Sequence, residues 1–161
     1  MELHERPDGI TVINDAYNAN PDSMRSALKT LAVIGRSRGA VTRTVAVLGE
    51  MRELGESSQQ EHDSIGRLAV RLDINQLVVV GEPARPMHLG AYLEGSWGEE
   101  SVFVEDGEQA LVWLRKNLAA GDVVLFKASR AARLEQVVEA LMADAAADGT
   151  PERTELKEFP S

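Results

Sequence analysis

Two short runs constrain this chain more than any other feature. Leu77 to Val80 and Val123 to Phe126 are apolar at every position, with none of the alternation of a half-wetted strand. A strand can be apolar on both faces only where both faces are covered, which is the condition of a parallel sheet flanked by helices. Longer amphipathic stretches separate such runs, so the pattern is strand, helix, strand throughout. The fold class this predicts is α/β: a Rossmann-like, doubly wound, mostly parallel sheet with helices on both faces.

The predicted strands are Gly9 to Ile13, Thr44 to Leu48, Gln76 to Val80, Ser101 to Val104 and Asp122 to Phe126. Met1 to Arg6 is a weak candidate for an extra edge strand. Asn20 to Ile34 predicts a helix with Met24, Leu28, Leu31 and Ile34 on one face. Asn20 suits its cap, Pro21 the first helical position, Asp22 the positive helix end and Gly35 its stop. Ser58 to Leu72, Gly107 to Leu118 and Ala131 to Ala147 predict further helices. Ala84 to Leu93 predicts a weaker one, interrupted at Pro86 and Gly90. Thr150 to Ser161 is polar and charged, with Pro151 and Pro160, and is expected to be a disordered tail.

Composition narrows the function classes. The chain has 161 residues, enough to bury a core without staples. It has no cysteine, which removes disulfides and thiolate chemistry. Its 26 acids against 17 bases give a net charge of −9, which argues against a nucleic-acid partner. Aromatics at 4% argue against a stacking platform for single strands. No apolar run reaches the length of a membrane span and no signal segment opens the chain, so the expected location is cytoplasmic.

Ligands of open α/β sheets bind beyond the carboxyl ends of the strands. Three of the loops there are rich in polar groups. The first, Asn14 to Met24, holds Asp15, Tyr17, Asn18 and Asn20. Asp15 offers two acceptor oxygens to a sugar diol, or ties a turn; Asn18 suits a base edge; Asn20 reads as a helix cap. The second, Gly49 to His62, could crowd Glu50, Glu53 and His62 together. A lone histidine on a helix is more often structural, and too few ligand types converge for a dedicated metal site. The third, Lys127 to Arg130, carries two cations and a hydroxyl at the start of the last helix. It suits a phosphate, a carboxylate or a developing oxyanion. The plainer reading pairs Lys127 with a neighbouring loop acid and leaves Arg130 solvated. There is neither a GxxxxGK[ST] phosphate loop nor a GxGxxG after the first strand.

The strings DAYNANPDSMRSAL, AVLGEMRELGESSQQEH and VVLFKASRAARLEQVV, in that order, resemble the C-terminal domain of the Mur ligases. Among those, they are similar to the branch that joins D-alanyl-D-alanine to UDP-N-acetylmuramoyl-tripeptide. The resemblance runs from about Glu2 to Leu141. It implies a domain over 1–148 and a tail over 149–161. It also implies a role in peptidoglycan synthesis. ATP would phosphorylate the tripeptide carboxylate to an acyl phosphate, which the dipeptide amine attacks, with phosphate leaving. Asp15 matches the family aspartate that holds the ATP ribose, and Tyr17, Asn18 and Asn20 lie near the adenosine. Lys127, Ser129 and Arg130 match the loop facing the incoming dipeptide. The phosphate loop, the Mg2+ ligands and a carbamylated lysine belong to a central domain absent from this chain. No catalytic residue and no metal ligand is therefore expected in this domain alone. A family arginine just before the first strand has no match here. The usual glycine of the third string is Ala128.

The alternative reading is a receiver-like phosphoacceptor signalling domain. That fold needs an aspartate at the end of the third strand, where this chain has Gly81 and Glu82. It also needs paired acids after the first strand, where Asn14 precedes Asp15. A binding or interaction module without chemistry is a third reading.

Overall fold

The computed structural model describes the backbone of residues 1–95 and 98–158, and side chains as far as residue 146. In chain order the strands are β1 (Glu2–Glu5), β2 (Thr11–Asp15), β3 (Thr44–Leu48), β4 (Gln76–Val80), β5 (Ser101–Val104) and β6 (Val123–Lys127). The helices are α1 (Pro21–Arg38), α2 (Ser58–Arg71), α3 (Arg85–Glu94), α4 (Gly107–Asn117) and α5 (Leu134–Glu158).

The six strands form one sheet in the order β1-β2-β6-β3-β4-β5. Only β1 is antiparallel; every other pairing is parallel. The strand side chains divide between two cores. Ile13, Ala46, Leu48, Leu77, Val79 and Leu125 pack with α1, α2 and α3 on one face. Val12, Val47, Val78, Val80, Val124 and Phe126 pack with α4 and α5 on the other. The runs that are apolar at every position are thus strands buried on both faces, as the sequence predicts.

Four local expectations are corrected. First, β2 and β6 run on to Asp15 and Lys127 instead of ending at Ile13 and Phe126. The two residues are register partners, and pairing between adjacent strands overrides their polar character. Second, Gly35 does not stop α1, which continues to Arg38 and is closed by Gly39. A Cβ at Gly35 would lie 2.5 Å from Thr44 Cγ2, so this glycine lets the helix lie close to the sheet. Third, α3 is unbroken. Pro86 sits in its first turn, where a missing N–H costs little, and Gly90 is a crossing point. A Cβ at Gly90 would strike the Asp63 carbonyl, and one at Gly66 the Met87 carbonyl, so α2 and α3 meet backbone to backbone. Fourth, the last helix does not begin at Ala131. A short 3-10 turn spans Arg130–Ala132, Arg133 takes a left-handed φ of 55°, and α5 starts at Leu134. The backbone of α5 continues to Glu158, through most of the segment where a tail is predicted from residue 149. Residues 159–161 of that predicted tail lie outside the described residues.

Candidate functional site

Because β6 is inserted between β2 and β3, the carboxyl ends of these three strands lie side by side. Asp15 and Leu48 are both register partners of Lys127. The three polar loops, far apart in sequence, therefore leave the sheet at one edge.

The centre of the site is an ion pair. Lys127 Nζ donates to Asp15 Oδ2 at 2.7 Å and to the Asn18 carbonyl at 3.0 Å. The lysine side chain is only 4% exposed and the aspartate 20%. The Met1 amino group lies 3.6 Å from the other Asp15 oxygen. Lys127 is thus committed to the first loop, as the plainer of its two readings holds. A residue expected at the ribose and one expected at the dipeptide are a single contact.

The rest of the first loop is ordered by its own polar groups. Asn14 Oδ1 accepts from the Ala16 N–H, and Asn18 Oδ1 from the Ala19 N–H. Asn20 Oδ1 accepts from the Ser23 N–H at 2.8 Å, and the Ser23 hydroxyl accepts from the Asn20 N–H, a reciprocal cap for α1. Tyr17 is 74% exposed. Its ring lies under the Arg130 guanidinium, 5.8 Å from centroid to carbon, a weak cation–π contact.

In the second loop His62 is structural. It is 1% exposed; Nε2 accepts from the Met51 N–H at 2.9 Å and Nδ1 donates to the Ser58 carbonyl at 2.7 Å. It pins the chain after β3 to α2, and its own donors and acceptors are spent. Glu50 contributes through its carbonyl, which accepts from the Ser129 N–H at 2.8 Å and ties the second loop to the third. Ala128 directs its methyl into the core beneath α5, where a Cβ on Gly49 would come within 2.8 Å of it. The methyl that departs from the family string therefore fills space opposite a glycine.

Beside the ion pair is a cleft of about 580 Å³, lined by Asn18, Asn20, Arg52, Glu53, Ser129 and Arg130 with two alanines. Another cleft, of about 470 Å³, lies near the opposite end of the sheet around Gly35, Thr44 and Asn75. There Thr44 and Asn75 bond each other, and Arg36 and Asp73 also line the cleft, but it lies away from the carboxyl ends of the parallel strands, where such sheets bind ligands. Arg52 and the cleft role of Glu53 are the parts sequence reasoning missed. The signal available was their place in a loop after β3, without any indication of which loop would face them.

An open parallel sheet with a charged cleft at the carboxyl edge of its central strands defines an α/β ligand-binding domain. The family model for the Mur ligase, glutamate ligase domain matches residues 1–130, and the chain belongs to that family. It is 54% identical over 157 residues to the UDP-N-acetylmuramoyl-tripeptide--D-alanyl-D-alanine ligase of Mycobacterium tuberculosis, covering 89% of this chain and 31% of that enzyme. The chain thus spans about a third of the length of such relatives. Its fold matches the MurF ligase from Thermotoga maritima solved with ADP, with a TM-score of 0.70 at 27% identity over 91% of this chain and 31% of that one. It also matches MurF from Acinetobacter baumannii, with a TM-score of 0.75 at 30% identity over 88% of this chain and 30% of that one. These matches give no support to the receiver-like alternative. Among the described residues no helix is long and apolar enough to cross a membrane.

Proposed function

We propose that this chain acts as the C-terminal domain of a cytoplasmic, ATP-dependent ligase that joins D-alanyl-D-alanine to UDP-N-acetylmuramoyl-tripeptide. In the reaction, the γ-phosphoryl group of ATP moves to the tripeptide carboxylate and ADP leaves. The dipeptide nitrogen then bonds to the acyl carbon, loses a proton, and phosphate departs. This domain would bind the adenosine end of ATP and the incoming dipeptide. The observation that carries the reading is the convergence of the three loops on one sheet edge, beside a cleft lined by Arg52, Glu53 and Arg130, which form no ion pair among the described residues.

Within that reading the residues divide as follows. Lys127 holds one Asp15 oxygen, and the other, 3.6 Å from the Met1 amino group, would accept from a ribose hydroxyl. Tyr17 offers an exposed ring face to the base, and Asn18 its free amide N–H groups. Asn20 serves indirectly, by capping α1 and shaping the loop. Ser129 and Arg130 face the dipeptide. Lys127 is a positioning residue. Among the described residues no group of three or more histidines and carboxylates could hold a metal ion, so the proposal assigns no Mg2+ ligand to this chain.

The test is amide NMR on the 15N-labelled chain, titrated separately with ADP and with D-alanyl-D-alanine. ADP should move resonances of residues 15–20 and the dipeptide those of residues 129–131. Shifts confined to other faces of the sheet would overturn the proposal.

A further inference from the structure

The loop after β3 brings two charges to the cleft that have no role so far. Arg52 and Glu53 line it together with Ser129 and Arg130. Most of the other described arginines are paired, among them Arg43 with Asp122, Arg71 with Glu94 and Arg115 with Asp144; Arg36 and Arg133, outside this cleft, are not. Arg52 and Arg130 have no acid partner among the described residues, and Glu53 has no cationic one. Opposite charges that line one cleft without pairing are available to a ligand that carries both signs.

Two further observations concern the same place. Glu53 adopts a φ of 63°, the left-handed region that few residues other than glycine occupy, and such backbone clusters at ligand sites. The Ser129 hydroxyl is buried and has no hydrogen-bond partner, in a residue 4% exposed that lines the cleft. A buried hydroxyl without a partner is unfavourable, and a turn of this side chain towards the cleft would give it a ligand oxygen. Lys127 is not among the residues lining this cleft, and both of its hydrogen bonds go to the first loop.

We infer that the cleft recognises the two ends of a zwitterion. Arg52 joins Arg130 and the Ser129 hydroxyl on the carboxylate, and Glu53 faces the ammonium group. Two arginines alone would suit a phosphate; an unpaired acid beside them disfavours a dianion and favours a small peptide with both termini free. Two extended residues span about 7 Å, short enough for one cleft to reach both ends. The inference rests on the dipeptide reading above and adds Arg52 and Glu53 to it.

The test uses the labelled 161-residue chain and four probes: D-alanyl-D-alanine, its C-terminal amide, its N-acetyl form, and inorganic phosphate. Loss of one charge-assisted contact should cost about ten-fold in affinity. Wild type should therefore prefer the dipeptide over the amide and over the acetylated form by about ten-fold each. Arg52→Gln should reduce the preference over the amide and leave the other preference intact. Glu53→Gln should do the reverse. Both side chains are exposed, and the spectra report whether each variant is folded. If the dipeptide moves residues 129–131 equally well in Arg52→Gln and in wild type, and Glu53→Gln changes neither preference, the inference fails and the dipeptide reading stands. If phosphate binds the cleft and the dipeptide does not, both fail. If no probe produces a saturable shift there, the cleft is not the site and the inference is again overturned.

Discussion

Asp15, proposed above as a ribose contact, also bears on folding. Read from the sequence, it either accepts hydrogen bonds from a sugar diol or ties a turn. The structure adds a third role: Asp15 is the counter-charge of an ammonium group that is only 4% exposed. Removing one partner of a buried pair strands the other. Asp15→Ala should therefore destabilise the chain by about 3 kcal/mol, at the low end for buried pairs because Asp15 is partly wet. Lys127→Met should cost less, since the carboxylate left behind can still reach water. Urea unfolding of the two variants checks the order, and equal or reversed losses would refute it. His62 is the converse case, with every polar atom of its ring spent inside the protein.

Among the elements, the contact between α2 and α3 depends on having no side chain at Gly66 and Gly90. Gly66→Ala puts a methyl against the Met87 carbonyl. It should destabilise by about 1–3 kcal/mol, the usual range for overpacking, although alanine favours helix. Thermal melts followed by circular dichroism measure this, and an unchanged or raised midpoint would show that the helices can separate freely. α3 is also pinned to β5 by the Ser101 hydroxyl, 2.7 Å from His88 Nδ1. Burial, and secondarily the Arg85 charge, hold the His88 pKa below its ordinary value. The unfolded chain then takes up this proton at a higher pH than the folded one. The stabilisation is present above about pH 6.5, the unfolded value, and is lost as pH falls towards the folded pKa. The slope of stability against pH between 7.5 and 5.5 should be shallower in His88→Asn than in wild type. Identical slopes would remove His88 as the cause.

At the scale of the whole molecule, the loop proposed for adenosine and the cleft proposed for the dipeptide come without a phosphate loop in this sequence. Transition-state stabilisation in phosphoryl transfer comes mainly from metal ions and phosphate-loop donors, and from holding both reactants in line. The 161-residue chain alone should therefore release no phosphate above a protein-free control. The assay mixture is ATP, Mg2+, UDP-N-acetylmuramoyl-tripeptide and D-alanyl-D-alanine. Turnover that disappears in Asp15→Asn would show that catalytic parts have been assigned to the wrong domain.

What was legible in the sequence follows from local physics. A short run that is apolar at every position fits a strand covered on both faces, as in β4, and the short β-branched runs of β3 and β5 also stand at their predicted residues. The Asn20 cap and the helix after it follow from side chain and backbone within a few positions of each other. The same local reasoning misjudged Gly35 and Gly90, because glycine breaks an isolated helix but permits close approach where another element presses against it. It also could not assign Lys127 a partner, since Asp15 lies 112 positions away in the chain. Strand order made that pair, by inserting the last strand between β2 and β3. The residue types and loops of the site were determined by the sequence itself; which charges neutralise one another and which remain free for a ligand was decided only when the sheet brought three distant strand ends into one row.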